Sequence, residues 1–251
     1  MLPASNRECV KAVYDARVKV AIVTAASKGI GAAIARELHA RGHAVALLAR
    51  GAEEVGALAG ELGGLAVTGS VTDLGALERL VGETLQRWQR IDVVVNNTGH
   101  PAKGGLLELG DAAWREGYEL IVESALRLAR LVTPVMEKQR GGAFVHVSSY
   151  SAVEPDLSRP VSSIFRAALT AWVKLHAQHG APHGIRVNAV LPGFVDSYPV
   201  DDATLRKIPF GRIGSVAELA RTVAALASGD GDMSYVTGQC LLVDGGMIRG
   251  T

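Results

Sequence analysis

The chain has 251 residues, 48% of them hydrophobic, which suffices to bury the core of one α/β domain. Its formal net charge is +1, with 26 Lys and Arg against 25 Asp and Glu, a balance that excludes the basic surface of a nucleic-acid or acidic-membrane binder. The longest apolar runs are strand-sized, so no membrane span is expected, and Cys9 and Cys240 stand at opposite ends outside any CxxC pair, which reads as reduced cytoplasmic thiols.

Residues 1–17 hold Arg7, Glu8, Lys11, Asp15 and Arg17 and no apolar core of a signal peptide. They read as a polar extension ahead of a single domain over 18–251. The run 18–24 is apolar and β-branched, which predicts a buried strand ending at Thr24. Ala25, Ala26, Ser27, Lys28, Gly29, Ile30 and Gly31 then make a small-residue turn that opens a helix over 29–41. Strand, tight turn and helix start aim free backbone N–H groups at a phosphate. Further strands are predicted at 44–49, 65–69, 91–96, 142–148, 185–191 and 239–243, and helices at 52–62, 73–89, 111–138, 162–179 and 215–228. Alternation of this kind requires crossovers and a parallel sheet. Residues 194–214 hold no clear element and read as a lid.

Five more segments follow the glycine turn in order: Asn96-Asn97-Thr98-Gly99, Val147-Ser148-Ser149, Pro192-Gly193-Phe194-Val195, Ile208-Pro209-Phe210-Gly211-Arg212, and Thr237-Gly238 leading into Val243-Asp244-Gly245-Gly246. Together the six segments resemble the short-chain dehydrogenase/reductase family over about residues 18–247. The resemblance implies a Rossmann-type, doubly wound, mostly parallel seven-stranded sheet with helices on both faces. It also implies a nicotinamide cofactor, a small-molecule substrate and a homo-oligomer, a dimer or tetramer. On this reading the cofactor lies against Thr24, Ala26, Ser27, Lys28, Gly29, Ile30, Gly31, Arg50, Ser70, Val71, Asn97, Gly99, Arg166, Pro192, Gly193, Val195 and Ser197. Ala49 stands where NAD-preferring relatives carry an Asp for the ribose 2′-hydroxyl, and Arg50 and Lys28 supply two cations suited to a 2′-phosphate, so NADP(H) is expected. Ala25 replaces the first glycine of the family turn, and Ser70 replaces an Asp that faces the adenine.

The family uses a Ser, and a Tyr and Lys four apart on one helix, with an Asn on the preceding helix. Ser149 matches the serine. Counting on thirteen residues reaches Ser162, and four more reach Arg166, while counting from Trp114 puts Ile121 at the Asn position. A serine hydroxyl is a far weaker acid than a phenol, and guanidinium stays charged, so neither copies the Tyr–Lys pair. Three consequences are open. Tyr150, His100 or Tyr198 could replace the acid; the substrate could be an imine rather than a carbonyl; or the fold could bind NADP without redox turnover, as a sensor, a scaffold or a non-redox lyase or isomerase. The expected activity is hydride transfer between NADP(H) and a small carbonyl/alcohol or imine/amine.

No metal is expected. His176, His179 and His183 read as a solvated helix end, Asp196, Asp201 and Asp202 as polar loop residues, His146 as structural, and Asp92 as an anchor of local backbone. Leu120, Leu128, Leu131, Val135, Leu169, Trp172, Val173 and Leu175 form apolar helix faces, part of which covers the sheet and part of which the resemblance assigns to a subunit interface.

Overall fold

The computed structural model describes residues 18–197, 199–229, 231 and 233–249. The expected extension 1–17, with Cys9, and the candidate Tyr198 lie outside the described residues. Seven strands form one parallel sheet: β1 Val20–Thr24, β2 Ala44–Ala49, β3 Leu65–Thr68, β4 Val93–Asn96, β5 Gly142–Val147, β6 Ile185–Pro192 and β7 Cys240–Val243. Their order is β3-β2-β1-β4-β5-β6-β7. The order reverses between β1 and β4, and in open α/β sheets ligands bind outside the carboxyl ends of the strands at such a point.

Alternate strand residues feed opposite layers, because successive side chains point to opposite faces. Ala21, Val23, Val45 and Leu47 pack on helices α1 Gly29–Ala40, α2 Ala52–Glu61 and α8 Val216–Ala227. Val20, Ile22, Ala46, Leu48 and Phe144 pack on α3 Leu74–Trp88, α5 Ser124–Gln139 and α6 Pro160–Gly180. Three helix starts carry clear sequence signals. Asp73 caps α3 by accepting from Gly75 N at 2.9 Å, Pro160 occupies the first turn of α6, and Ser215 and Glu218 form a reciprocal capping box on α8. Asp92 does anchor the sheet: its Oδ2 accepts from Val20 N at 2.8 Å and its carboxylate pairs with Arg90.

Two expectations need correction. The helix expected over 111–138 is three pieces: α4 Asp111–Tyr118, a π turn Glu119–Glu123, and α5. Periodicity near 3.6 does not reveal one extra residue in one turn. Just after that turn Ser124 Oγ donates back to Leu120 O at 2.7 Å, and within it Ile121 is buried against Ala125 and Leu169. Upstream, Gly117 lets α4 close on α6, since a Cβ there would meet Val161 Cγ1 at 2.1 Å. The second correction is His176, which is not at a solvated end. It is 3% exposed, bonds Thr133 Oγ1 through Nε2 at 3.0 Å and lies 4.7 Å from the Phe144 ring. Only the helix face that carries His176 is covered, by Thr133 of α5 and Phe144 of β5, which sequence periodicity alone does not locate. His179 and His183 instead stand 3.4 and 3.7 Å from Glu137 Oε1.

Candidate active site

The turn after β1 is built by backbone geometry. Ala25 adopts φ +48° and Gly29 φ +54°, so the chain doubles back in the left-handed region at two points. Gly31 allows α1 to press on the turn, for a Cβ there would lie 2.3 Å from Ala25 O. Thr24 Oγ1 donates to Asn97 O at 2.7 Å and accepts from Asn97 N at 3.0 Å. Asn97 Nδ2 donates to Ala25 O at 3.3 Å. These bonds tie the ends of β1 and β4 together. The first turn of α1 has no side-chain cap and no acidic residue. An uncapped helix start with positive dipole end and close glycine packing fits a dinucleotide phosphate.

Lys28 and Arg50 are exposed at the ends of neighbouring strands, paired in register through Thr24 and Leu48. Ser70 Oγ lies 2.8 Å from Thr72 Oγ1 and accepts from Thr72 N, so part of its hydrogen-bonding capacity is used locally; Val71 beside it is buried.

Beyond the turn lies a cavity of about 310 Å³ formed by the segments after β1, β4, β5 and β6 and by α6. Ile30 contributes from the glycine turn, His100 and Lys103 from the loop after β4, Ser149 and Tyr150 from the end of β5, and Arg159, Ser162 and Arg166 from α6. Pro192, Gly193, Phe194, Val195 and Ser197 close the opposite side. Gly29 faces the lid: its Cβ position lies 3.6 Å from Ser197 Cβ, so the lid begins over the turn. The lid itself is pinned by the Val195–Gly214 bridge and by Asp196 Oδ1, which accepts from Val216 N at 2.8 Å. It contains one short helix, α7 Asp202–Leu205, capped by Asp201. Among the described residues no three His, Cys, Asp or Glu side chains converge as metal ligands.

Four polar groups form a chain, three of them lining this cavity and the fourth, Ser151, buried behind it. Arg166 is 4% exposed; its Nη1 donates to Val147 O at 2.9 Å and its Nε to Ser162 Oγ at 3.2 Å. Ser162 Oγ lies 3.3 Å from Ser151 Oγ, and Ser151 Oγ donates to Ser149 Oγ at 3.2 Å. Each hydroxyl has one proton. Ser151 has given its proton to Ser149, so Ser162 donates to Ser151. All protons therefore run from Arg166 towards Ser149. Ser149 Oγ also accepts from Ser151 N at 3.3 Å, which leaves its own proton to donate to a ligand. Burial pushes the Arg166 guanidinium down to about 10, so it stays charged at neutral pH.

The expected substitute acids are placed differently. Tyr150 donates from its hydroxyl to Asp156 Oδ2 at 3.3 Å, and burial raises its pKa, against the partial opposition of Arg159. His100 is held neutral: desolvation lowers its pKa first, and Arg166, Lys103 and Arg159 lower it further.

Comparison with known proteins agrees with this architecture. Residues 24–248 match the family model described as Enoyl-(Acyl carrier protein) reductase. The chain is 33% identical to Dehydrogenase/reductase SDR family member 4 of Caenorhabditis elegans, covering 91% of this chain and 95% of that protein. It is likewise 33% identical to the 3-oxoacyl-(acyl-carrier-protein) reductase of Escherichia coli (strain K12), covering 91% and 97%. The L-sorbose reductase of Gluconobacter frateurii, solved in complex with NADPH and L-sorbose, superposes with a TM-score of 0.85 at 29% identity, covering 93% of this chain and 98% of that one. The chain belongs to the short-chain dehydrogenase/reductase family.

As a short-chain dehydrogenase/reductase, it brings ten of the residues singled out from its sequence to one cavity: Ile30, His100, Ser149, Tyr150, Ser162, Arg166, Pro192, Gly193, Val195 and Ser197. Thr24, Ala26, Ser27, Lys28, Gly29, Gly31, Asn97 and Gly99 lie on the turns beside it, at the ends of β1 and β4. Arg50, Ser70 and Val71 follow β2 and β3 and do not line the cavity. Sequence reasoning missed Ser151, Arg159 and Lys103. The signal for Ser151 was its place two residues after Ser149, in a 3₁₀ turn Tyr150–Ala152 that folds its hydroxyl back. The signal for Arg159 was its place three residues before Ser162, one helical turn away.

Proposed function

We propose that this protein is an NADP(H)-dependent oxidoreductase acting on a carbonyl/alcohol or imine/amine pair, with a serine chain ending on a buried arginine instead of a Tyr–Lys pair. One observation carries the reading: a single cavity joins Ile30 of the glycine turn to the Ser149 end of the Arg166–Ser162–Ser151–Ser149 chain. The glycine turn and α1 hold the pyrophosphate, Lys28 and Arg50 take the 2′-phosphate, and Arg166 presents its remaining Nη2 donor to the nicotinamide ribose. Pro192, Gly193, Val195 and Ser197 hold the nicotinamide side. The bound nicotinamide supplies hydride.

Ser149 donates its proton to the substrate oxygen or nitrogen and holds it against the cofactor. As negative charge develops there, Ser149 passes its proton across and takes one back from water at the cavity mouth, while the Ser151–Ser162 chain carries the polarising effect of the Arg166 charge, which stays in place throughout. Preorganised donors aimed at developing charge are worth roughly 10²–10³ in rate each. Dihedral freedom is limited because Arg166 is fixed at Val147 O. For oligomerisation, Ile164, Ala168, Ala171 and Leu175 make an exposed apolar stripe along α6, and we assign it to contact between copies of this chain.

The decisive experiment follows NADPH oxidation with paired ketones and cyclic imines. Sustained turnover of either supports the reading. Uptake of NADPH without turnover on any pair supports a non-redox role, and no uptake at millimolar NADPH overturns both. A Ser162→Tyr, Arg166→Lys double variant should raise ketone reduction if the absent phenol limits it.

A further inference from the structure

We propose that the substrate carries a carboxylate a few bonds from the reacting carbon, and that Arg159, with Lys103 lining the same cavity, is the clamp that holds it. The inference rests on the redox reading above and names its substrate class.

The chain as a whole is nearly neutral, at +1. The cavity is not: Arg159, Lys103 and Arg166 line it, and no Asp or Glu does. The field of these three cations registers on His100, whose pKa they lower in addition to desolvation. Arg166 is committed to Val147 O, Ser162 and the nicotinamide ribose, and Lys28 and Arg50, the cations suited to the cofactor's phosphates, are not among the lining residues, so Arg159 and Lys103 are the excess at the substrate end.

Arg159 is built as a holder. Its guanidinium carbon lies 5.6 Å from the centroid of the Phe194 ring, a cation–π contact that helps hold the side chain in place. The nearby carboxylate, Asp156, stands at 3.9 Å, beyond hydrogen-bond reach. That carboxylate is already occupied: Oδ1 accepts from Ser158 N and Oγ, and Oδ2 from Tyr150. Arg159 therefore keeps its fork of donors with no hydrogen-bond partner among the described residues, on a side chain 31% exposed and facing the cavity. A planar fork matches the two oxygens of one carboxylate. Arg159 is the N-cap residue of α6, three positions before Ser162, and it lines the same cavity as Ser149 and Ser162. That arrangement suits a short oxo acid or cyclic imino acid, with its carboxylate on Arg159 and its reacting C=O or C=N at Ser149. The Phe194 ring and Pro199 offer apolar contact to the carbon chain between them.

The test uses unreactive probes, so it does not depend on turnover. The full-length protein saturated with NADPH is titrated by calorimetry with hexanoate and with hexanamide, which has the same shape without the charge. Hexanoate should bind at least ten-fold tighter. Arg159→Met should erase that gap while NADPH affinity stays as in the parent, and Arg159→Lys should keep part of it. Equal binding of the two probes, binding of neither, or a gap that survives Arg159→Met overturns the proposal. If the protein takes up no NADPH, the redox reading fails by itself, and the same titration on the protein alone still decides the carboxylate site.

Discussion

Ser151 is the residue on which the reaction geometry turns, although it faces no solvent at all. It receives from Ser162 and gives to Ser149, so removing its hydroxyl cuts Ser149 off from the Arg166 charge. Ser151→Ala should lower kcat about 10-fold or more with little change in KM, and Ser151→Thr should recover most of the loss; Ser149→Ala, which removes the last donor, should cost about 10²–10³. The pH profile separates this chain from a histidine donor. Reduction needs the protonated form of the acid, and serine hydroxyls and a guanidinium keep their protons through the working range. The rate of the chemical step should be flat from about pH 6 to 9. Were His100 the donor, its lowered pKa would make the rate climb as pH drops below neutrality, and stopped-flow hydride-transfer rates across pH would reveal it.

At the scale of elements, the layer joining β5, α5 and α6 contains two buried imidazoles. His146, against Asn96 and the Phe144 ring, is pushed down to about 3 by burial and by its neighbour His176; His176 is pushed down to about 4 by burial and then by His179. The unfolded chain binds protons at both sites below about pH 6.5, whereas the folded chain resists until pH nears 4. This part of the stability is complete above 6.5 and is lost as pH falls through that window. The urea midpoint should be lower at pH 5 than at 7.5, and His176→Gln should shrink the difference even if it destabilises the protein at both. The alternation of strands and helices was legible because the inner strands are buried apolar runs and three helices have a recognisable start, at Asp73, Pro160 and Ser215. The π turn was not, since a single added residue leaves the apolar spacing on either side almost intact. His176 was misread because its burial depends on Thr133 and Phe144, residues 43 and 32 positions away in the chain.

For the whole molecule, the glycine turn could be read from local chemistry, whereas the cavity could not, because it forms only where four separate strand ends meet. The outward stripe of α6 belongs to this scale too. Leu175 was expected on an apolar face and is 63% exposed, and Ile164 is 50% exposed on the same side of the helix. Burying such a stripe between two copies removes it from water at roughly 25 cal/mol per Å². Light scattering should report a mass at least twice that of one chain, and Leu175→Glu combined with Ile164→Glu should reduce it to a single chain. A parent protein that is monomeric at micromolar concentration removes the assignment.

Ala25 keeps a methyl group in a backbone region where glycine is at ease, at φ +48°. The left-handed conformation costs a residue with a side chain about 1–2 kcal/mol, while glycine gives up about 0.5–1 kcal/mol through its greater freedom when unfolded. The first exceeds the second by roughly 0.5–1 kcal/mol, so Ala25→Gly should raise the melting temperature slightly, by about 1–3 °C. It should also widen the spread of shapes the loop explores before a nucleotide arrives. Weaker NADPH binding with no loss of thermal stability, measured on the same sample, would mark that methyl as a stiffener of an empty hand rather than a brace of the fold.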